Sequence, residues 1–132
     1  MNIGFFTESG YHGKVDRNVS QMRSDVSWIC ALEAVHHPII SLHQLPDNSY
    51  DMGVVIIPKK KEYLLDYPLI DNMKRVCKKI AVMQESTYWY WQDNEIVEQI
   101  WYFNTLIEFD LILCHNDIDL KYYKGLTNKR CE

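Results

Sequence analysis

The sequence predicts an α/β domain with a mainly parallel sheet of about five strands. Short apolar runs alternate along the chain with amphipathic stretches, which is the order of elements in α/β proteins. Several runs are apolar at consecutive positions, and such strands are typical of parallel sheets that are covered on both faces. The length of 132 residues fits a single domain over residues 1–132, and the 47% of hydrophobic residues can supply its core.

Each predicted strand is a short apolar run that ends at a turn or a polar segment. The run from Gly53 to Ile57 is the clearest, because it is rich in β-branched residues and is bounded by Pro58. Pro46 and Asp47 stop the second run in the same way. The five predicted strands cover residues 2–7, 39–45, 53–57, 80–83 and 111–114.

Four amphipathic stretches are predicted as helices, three of them with recognisable start signals. Ser24 can cap the first helix, Pro68 can occupy the first turn of the second, and Asn116 can cap the last. The predicted helices run from Ser24 to about Val35, from Pro68 to about Cys77, from Asp93 or Asn94 to about Ile107, and from Asn116 to Gly125, which suits a helix end.

Right-handed crossovers with one reversal of winding favour the strand order 3-2-1-4-5, with the strands numbered along the chain. Helices on both faces then give a Rossmann-like, three-layer α/β/α domain. Only seven residues separate Leu45 from Gly53, too few for a helical crossover, although an extended connection could suffice. The order of the second and third strands therefore depends on this one link.

Composition excludes several classes of protein. The formal net charge of −4 disfavours a protein that mainly grips nucleic-acid phosphates. The first ten residues do not resemble a signal peptide, and no apolar run is long enough to span a bilayer, so we expect a soluble cytoplasmic protein. The four cysteines form no CxxC pair, and Cys30, Cys77 and Cys114 fit reduced core thiols. Because His36, His37 and His43 have no ligand partner at metal spacing, no metal site is predicted.

In an open parallel sheet, ligands bind beyond the carboxyl ends of the strands, where the winding reverses. For the predicted order, this crevice lies between the first and fourth strands. Its expected walls are residues 7–10 on one side and residues 84–86 on the other, with residues 115–117 next along the edge. Polar residues thus follow three of the five predicted strands at one end of the sheet.

The loop from Glu8 to Arg23 is the main functional candidate, because long loops in compact domains are often functional. Gly10 and Gly13 would let backbone amides approach a ligand, and Lys14 could meet an anion. Neither GxxxxGK[ST] nor GxGxxG is present, so the loop is neither a P-loop nor a dinucleotide fingerprint. The alternative is an exposed surface loop.

Glu85 ends the fourth predicted strand beside the crevice, where a carboxylate could accept a proton from an attacking hydroxyl. The alternative is a carboxylate that caps the next segment or forms a salt bridge with the first loop. Glu8 and His12 are weaker candidate bases. His115 and Asn116 could line the site or simply start the last helix.

The aromatic run of residues 87–91 could stack on a sugar or a base, although core or interface packing is the stronger interpretation. Lys59 to Lys61 and Lys78-Lys79 are interpreted as solvated ends of elements.

Four segments together resemble the N-terminal half of GT-B glycosyltransferases, and bacteriophage-encoded members are the most similar. They are NIGFFTESGYHGK, NVSQMRSDVSWICALEA, KIAVMQESTYWYW and FDLILCHNDIDLKYYKGLTNK, which cover almost the whole chain. The resemblance implies a Rossmann-like domain that mainly holds the acceptor, with the nucleotide-sugar mostly on a second Rossmann-like domain. Members of the family run on into that second domain, whereas this sequence ends at Glu132.

The resemblance also assigns roles to residues. Glu85 matches an acidic base that follows the fourth strand in some phage enzymes, and Ser9, Gly10 and Gly13 match a cleft-lining loop. The predicted substrate-binding residues are Glu8, Ser9, Gly10, His12, Gly13, Lys14, Ser86, His115 and Asn116. No cofactor is expected.

The expected partners are a nucleotide-sugar, a glycan or other acceptor, and a second Rossmann-like domain or chain or a homodimer. The alternative function is a non-catalytic module that binds a nucleotide, a sugar or a protein. A flavodoxin-like domain is a third interpretation, disfavoured because no hydroxyl-rich phosphate loop follows the first strand.

Overall fold

The computed structural model describes six strands and two complete helices within residues 1–7, 30–32, 39–41, 47–57, 67–84, 104–114 and 116–132. The strands are β1 (Ile3–Thr7), β2 (Ile39–Ser41), β3 (Tyr50–Ile57), β4 (Cys77–Gln84), β5 (Leu111–Leu113) and β6 (Arg130–Cys131). The helices are α1 (Tyr67–Val76) and α2 (Asp117–Leu126). Residues 30–32 and 104–106 are also helical.

All six strands are parallel and form one sheet in the order β2-β1-β3-β4-β5-β6. The predicted α/β class with a parallel sheet is confirmed, whereas the predicted order 3-2-1-4-5 is wrong. β1 lies between β2 and β3, so the chain crosses β1 when it passes from one to the other. The order of the first five strands is that of flavodoxin-like doubly wound sheets.

The error in strand order has a non-local cause. β3 begins at Tyr50, three residues before the predicted start at Gly53, and eight residues separate it from Ser41 of β2. Hydropathy marks which segments are strands but not which strands pair. β1 pairs with β3 in a register that sets Gly4 beside Gly53, and the Phe6 and Tyr50 rings meet nearby edge to face at 5.8 Å.

The central strands are shielded on both faces. Val54 and Val55 of β3 are both buried, as are Ile80, Ala81 and Val82 of β4. Because consecutive strand residues point to opposite faces, this pattern requires cover on each side of the sheet. It explains why these segments are apolar at every position rather than at alternate positions.

Gly53 lies at a crowded point of this core. A Cβ atom at Gly53 would lie 2.5 Å from Cys77 Sγ, 3.1 Å from Phe6 Cε2 and 3.2 Å from Met73 Cε. The Phe6 and Met73 side chains are fully buried, and Cys77 is 7% exposed. Glycine at this position therefore lets α1 and β4 pack directly against β3.

α1 begins at Tyr67 with Pro68 in its first turn, as its sequence predicts, and buries Ile70 and Met73. The chain passes from Val76 of α1 directly into Cys77 of β4, with no residue between the two elements. β4 therefore starts three residues before the predicted Ile80. Lys78 and Lys79 lie near the amino end of β4 with exposed side chains, so the prediction of a solvated element end is confirmed, and the element is a strand.

The amino ends of the strands are tied by polar contacts. Asp51 of β3 accepts a hydrogen bond from the Asn2 backbone N–H at 2.9 Å and pairs with Lys78 at 2.7 Å. Asp110, just before β5, accepts from the Ile80 backbone N–H at 3.0 Å, and its own N–H donates to the Ile80 carbonyl at 2.9 Å. These contacts join β1 to β3, β3 to β4 and β4 to the start of β5.

Candidate functional site

The parallel sheet brings the carboxyl ends of its strands to one edge. The register sets Thr7 of β1 opposite Ile56 of β3, and Ile57 of β3 opposite Gln84 of β4. Met83 of β4 in turn lies opposite Leu113 of β5. The segments that follow these strands therefore all leave from the same edge of the sheet, as the sequence predicts.

The strand order changes where along this edge the winding reverses. The chain leaves β1 toward β2 on one side and leaves β3 toward β4 on the other, so the switch point lies between β1 and β3. The predicted position of the crevice, between neighbouring first and fourth strands, is wrong. β1 and β4 are not neighbours, because β3 lies between them. Any ligand that contacts the ends of both β1 and β4 must also cross the end of β3.

Most of the predicted site residues lie outside the described residues. They are the predicted base Glu85 and the predicted ligand contacts Glu8, Ser9, Gly10, His12, Gly13, Lys14, Ser86 and His115. The described chain reaches Thr7, immediately before Glu8, and Gln84, immediately before Glu85. The aromatic run of residues 87–91 and the lysines at 59–61 also lie outside the described residues. Their roles stay predictions.

Asn116 is the one predicted site residue within the described chain, and its side chain caps α2. Its Oδ1 accepts hydrogen bonds from the backbone N–H groups of Ile118 at 3.0 Å and Asp119 at 2.9 Å. Its Nδ2 donates to Asp119 Oδ2 at 3.0 Å. The N-cap prediction is confirmed, and helix formation alone accounts for the contacts of both side-chain polar atoms.

The end of α2 differs from its prediction. Gly125 lies inside the helix, which continues to Leu126. Thr127 follows as an extended C-cap whose N–H donates to the Tyr123 carbonyl at 3.0 Å. A glycine signals a helix end only where the backbone needs a left-handed conformation, which is not the role of Gly125 here.

Two cysteines lie near this part of the carboxyl edge, Cys114 directly after β5 and Cys131 in β6. Burial, together with smaller contributions from the nearby Cys131 and Asp119, raises the pKa of the Cys114 thiol to about 11. Burial also raises the pKa of Cys131, whose thiol donates to the Lys129 carbonyl at 3.4 Å. Both are free and protonated at neutral pH, so neither is suited to act as a nucleophile.

Within the described ranges, no group of three or more His, Cys, Asp or Glu side chains is arranged to hold a metal ion. Over the same ranges, no helix has the length and apolar character needed to cross a membrane.

The carboxyl edge, with its switch point between β1 and β3, is the place where doubly wound sheets bind ligands. No protein-family model, curated protein or solved structure matches this chain.

Proposed function

We propose that this chain is the acceptor-side half of a glycosyltransferase that uses a nucleotide-sugar donor, with Glu85 as the base for the attacking acceptor hydroxyl. The observation that carries the proposal is the register of the sheet. In this register the last residues of β1, β3 and β4 lie side by side at the carboxyl edge, with Thr7 opposite Ile56 and Ile57 opposite Gln84. The segments that carry Glu8 and Glu85 thus start from one edge, which suits a cleft wall built from several loops.

The strand order sets the distance between the two strand ends that would flank an acceptor in this cleft. β1 and β4 are two strand spacings apart, about 10 Å, because β3 lies between them. An acceptor would lie across the end of β3, with the loop after β1 on one side and Glu85 on the other. Glu85 must come within hydrogen-bond reach of the acceptor hydroxyl to take its proton.

The transfer-competent form would also include a second Rossmann-like domain, supplied by the same polypeptide, another chain or a homodimer, because the family resemblance assigns the nucleotide-sugar mostly to that domain. We place this assembly in the cytoplasm, or in the host cytoplasm for a phage protein. We also propose that helices cover both faces of the sheet in three layers. The burial of consecutive residues in β3 and β4 supports this arrangement.

The test is sugar transfer by the transfer-competent form with Glu85→Gln. Removing a general base typically lowers the rate by about 100-fold or more. Asp71→Asn removes the same charge from an exposed position on α1 and serves as the control. Transfer that is undiminished in the Glu85 variant would remove Glu85 from the mechanism.

A non-catalytic module that binds a nucleotide, a sugar or a protein partner is the second candidate function. It is favoured by the switch point between β1 and β3, which gives a ligand crevice that does not need β4 or Glu85. Calorimetry of this chain with UDP, GDP and simple glycans separates the two functions. Nucleotide binding that Glu85→Gln leaves unchanged favours the module, whereas glycan binding that the variant alters favours the acceptor half.

A further inference from the structure

A cavity of about 380 Å³ opens at the amino edge of the sheet, opposite the carboxyl edge where the proposed transfer site lies. It lies where α1 ends and β4 begins, and residues 107–110 and Lys129 complete its wall. Its volume is within the range of small-molecule sites. All of its lining residues belong to the described chain.

The cavity combines an apolar lining with a charged one. Ile107 is half-buried and supplies most of the apolar surface, whereas Cys77 and Ile80 line the cavity with little exposed surface. Lys74, Lys78 and Lys129 add three exposed ammonium groups. This combination fits a ligand with an apolar body and a negative charge.

The two carboxylates that line the cavity are already engaged. Glu108 pairs with Lys74 at 2.8 Å. Asp110 pairs with Lys79 at 3.3 Å and accepts the Ile80 backbone N–H at 3.0 Å. Both negative charges are therefore partly neutralised by lysines, which limits their repulsion of an anion.

The ammonium group of Lys129 is a charge of the cavity that takes part in neither of these two ion pairs. Among the described residues, no carboxylate lies within ion-pair distance of its ammonium group, although its charge acts on Asp110 from farther away. Lys78 also lines the cavity, with its ammonium group on Asp51 at 2.7 Å. An arriving anion could thus meet Lys129 without breaking an existing ion pair.

We propose that this cavity binds a small organic anion, whose carboxylate or phosphate meets Lys129 and whose apolar body rests on Ile107. The site is separate from the proposed glycosyltransferase function, since it uses the opposite edge of the sheet. Because the attraction involves exposed charges, binding weakens as salt is added.

Phenyl phosphate and benzoate are the probes, and benzyl alcohol is the neutral control, each titrated into the isotope-labelled full chain by NMR. Binding in the cavity shifts the amide signals of residues 77–80, 107–110 and 129. Lys129→Gln is expected to weaken binding about three- to fivefold, the value of one exposed charge pair. Lys121→Gln, on the exposed face of α2, is the matched control and leaves binding unchanged.

A response to phenyl phosphate alone identifies a phosphate ligand, a response to benzoate alone identifies a carboxylate, and either supports the site. The proposal is overturned if neither anion shifts these signals, if benzyl alcohol shifts them equally, or if the two lysine variants behave alike. Signals that move only next to Thr7, Ile57 and Gln84 would also overturn it, while leaving the proposed transfer site standing. Since Lys129 is exposed, its variant should fold, and circular dichroism checks this.

Discussion

Gly53→Ala is expected to destabilise the protein through a collision at the centre of its core. The new methyl group would lie 2.5 Å from Cys77 Sγ, a distance that requires backbone or side-chain movement. Phe6 and Met73, the next nearest neighbours, are fully buried and cannot swing into solvent. Overpacking of this kind typically costs about 1–3 kcal/mol.

A smaller effect of the same substitution acts in the opposite direction. Replacing glycine by alanine restricts the unfolded chain and stabilises a protein by about 0.4–1 kcal/mol where the native backbone permits it. The net expected loss for Gly53→Ala is therefore about 1–2 kcal/mol. For a domain of this size, such a loss lowers Tm by roughly 3–8 °C.

The assay is urea unfolding followed by circular dichroism, with Gly125→Ala as the matched control. Gly125 lies in α2, and a Cβ there would meet nothing within 4 Å. The same substitution should therefore stabilise the protein by about 0.5–1 kcal/mol through helix propensity. The expected signs of the two free-energy changes are opposite because only Gly53 has a crowded site.

Cys77→Ala supplies the second part of the test, because it removes the nearest colliding atom. In a double-mutant cycle, Gly53→Ala should cost at least about 1 kcal/mol less in the Cys77→Ala background. If Gly53→Ala is as stable as the parent, or if its cost is the same in both backgrounds, the packing argument for this position is refuted.

Three further predictions concern polar and thiol groups. Asn116→Ala should lower the free energy of unfolding by about 1 kcal/mol in urea titrations through loss of the α2 cap, whereas Asn116→Ser, which keeps an oxygen acceptor and adds no charge beside Asp119, should lower it less; equal costs would contradict the capping role. The Asn2 N–H and Lys78 lower the pKa of Asp51 from 3.8, so the stability from this contact is present above about pH 4 and is lost as pH falls through the folded-state pKa. Asp51→Asn should therefore flatten the acid limb of the stability profile, and an unchanged acid limb would contradict this role of Asp51. Burial raises the pKa of both Cys77 and Cys114 to about 11, so a thiol reagent should label them slowly at pH 8 in the folded protein and fast in urea, and equal rates would show that they are not shielded.

Local sequence patterns predict those elements whose signals are local. The run from Gly53 to Ile57 is a strand because its β-branched residues must be buried on both faces, and Asn116 caps a helix because its side chain reaches nearby backbone amides. The start of β4 was missed because its determinants are not local. Lys78 and Lys79 carry charge yet belong to this strand, since at the amino edge their side chains reach Asp51 and Asp110.

The sixth strand and the strand order were missed for related reasons. Arg130-Cys131 is too short and polar to be recognised, and it forms because its backbone pairs with β5. The pairing of β1 with β3 depends on contacts between distant segments, such as the adjacent Gly4 and Gly53. The candidate site depended on that order, so the position of its crevice moved from one pair of strands to another.

The direct passage from α1 into β4 has a consequence for motion. With no residue between Val76 and Cys77, the helix and the strand share one stretch of backbone and have no hinge to absorb a rotation. Local opening is therefore expected to involve both elements at once, so their amides should exchange hydrogen with similar protection.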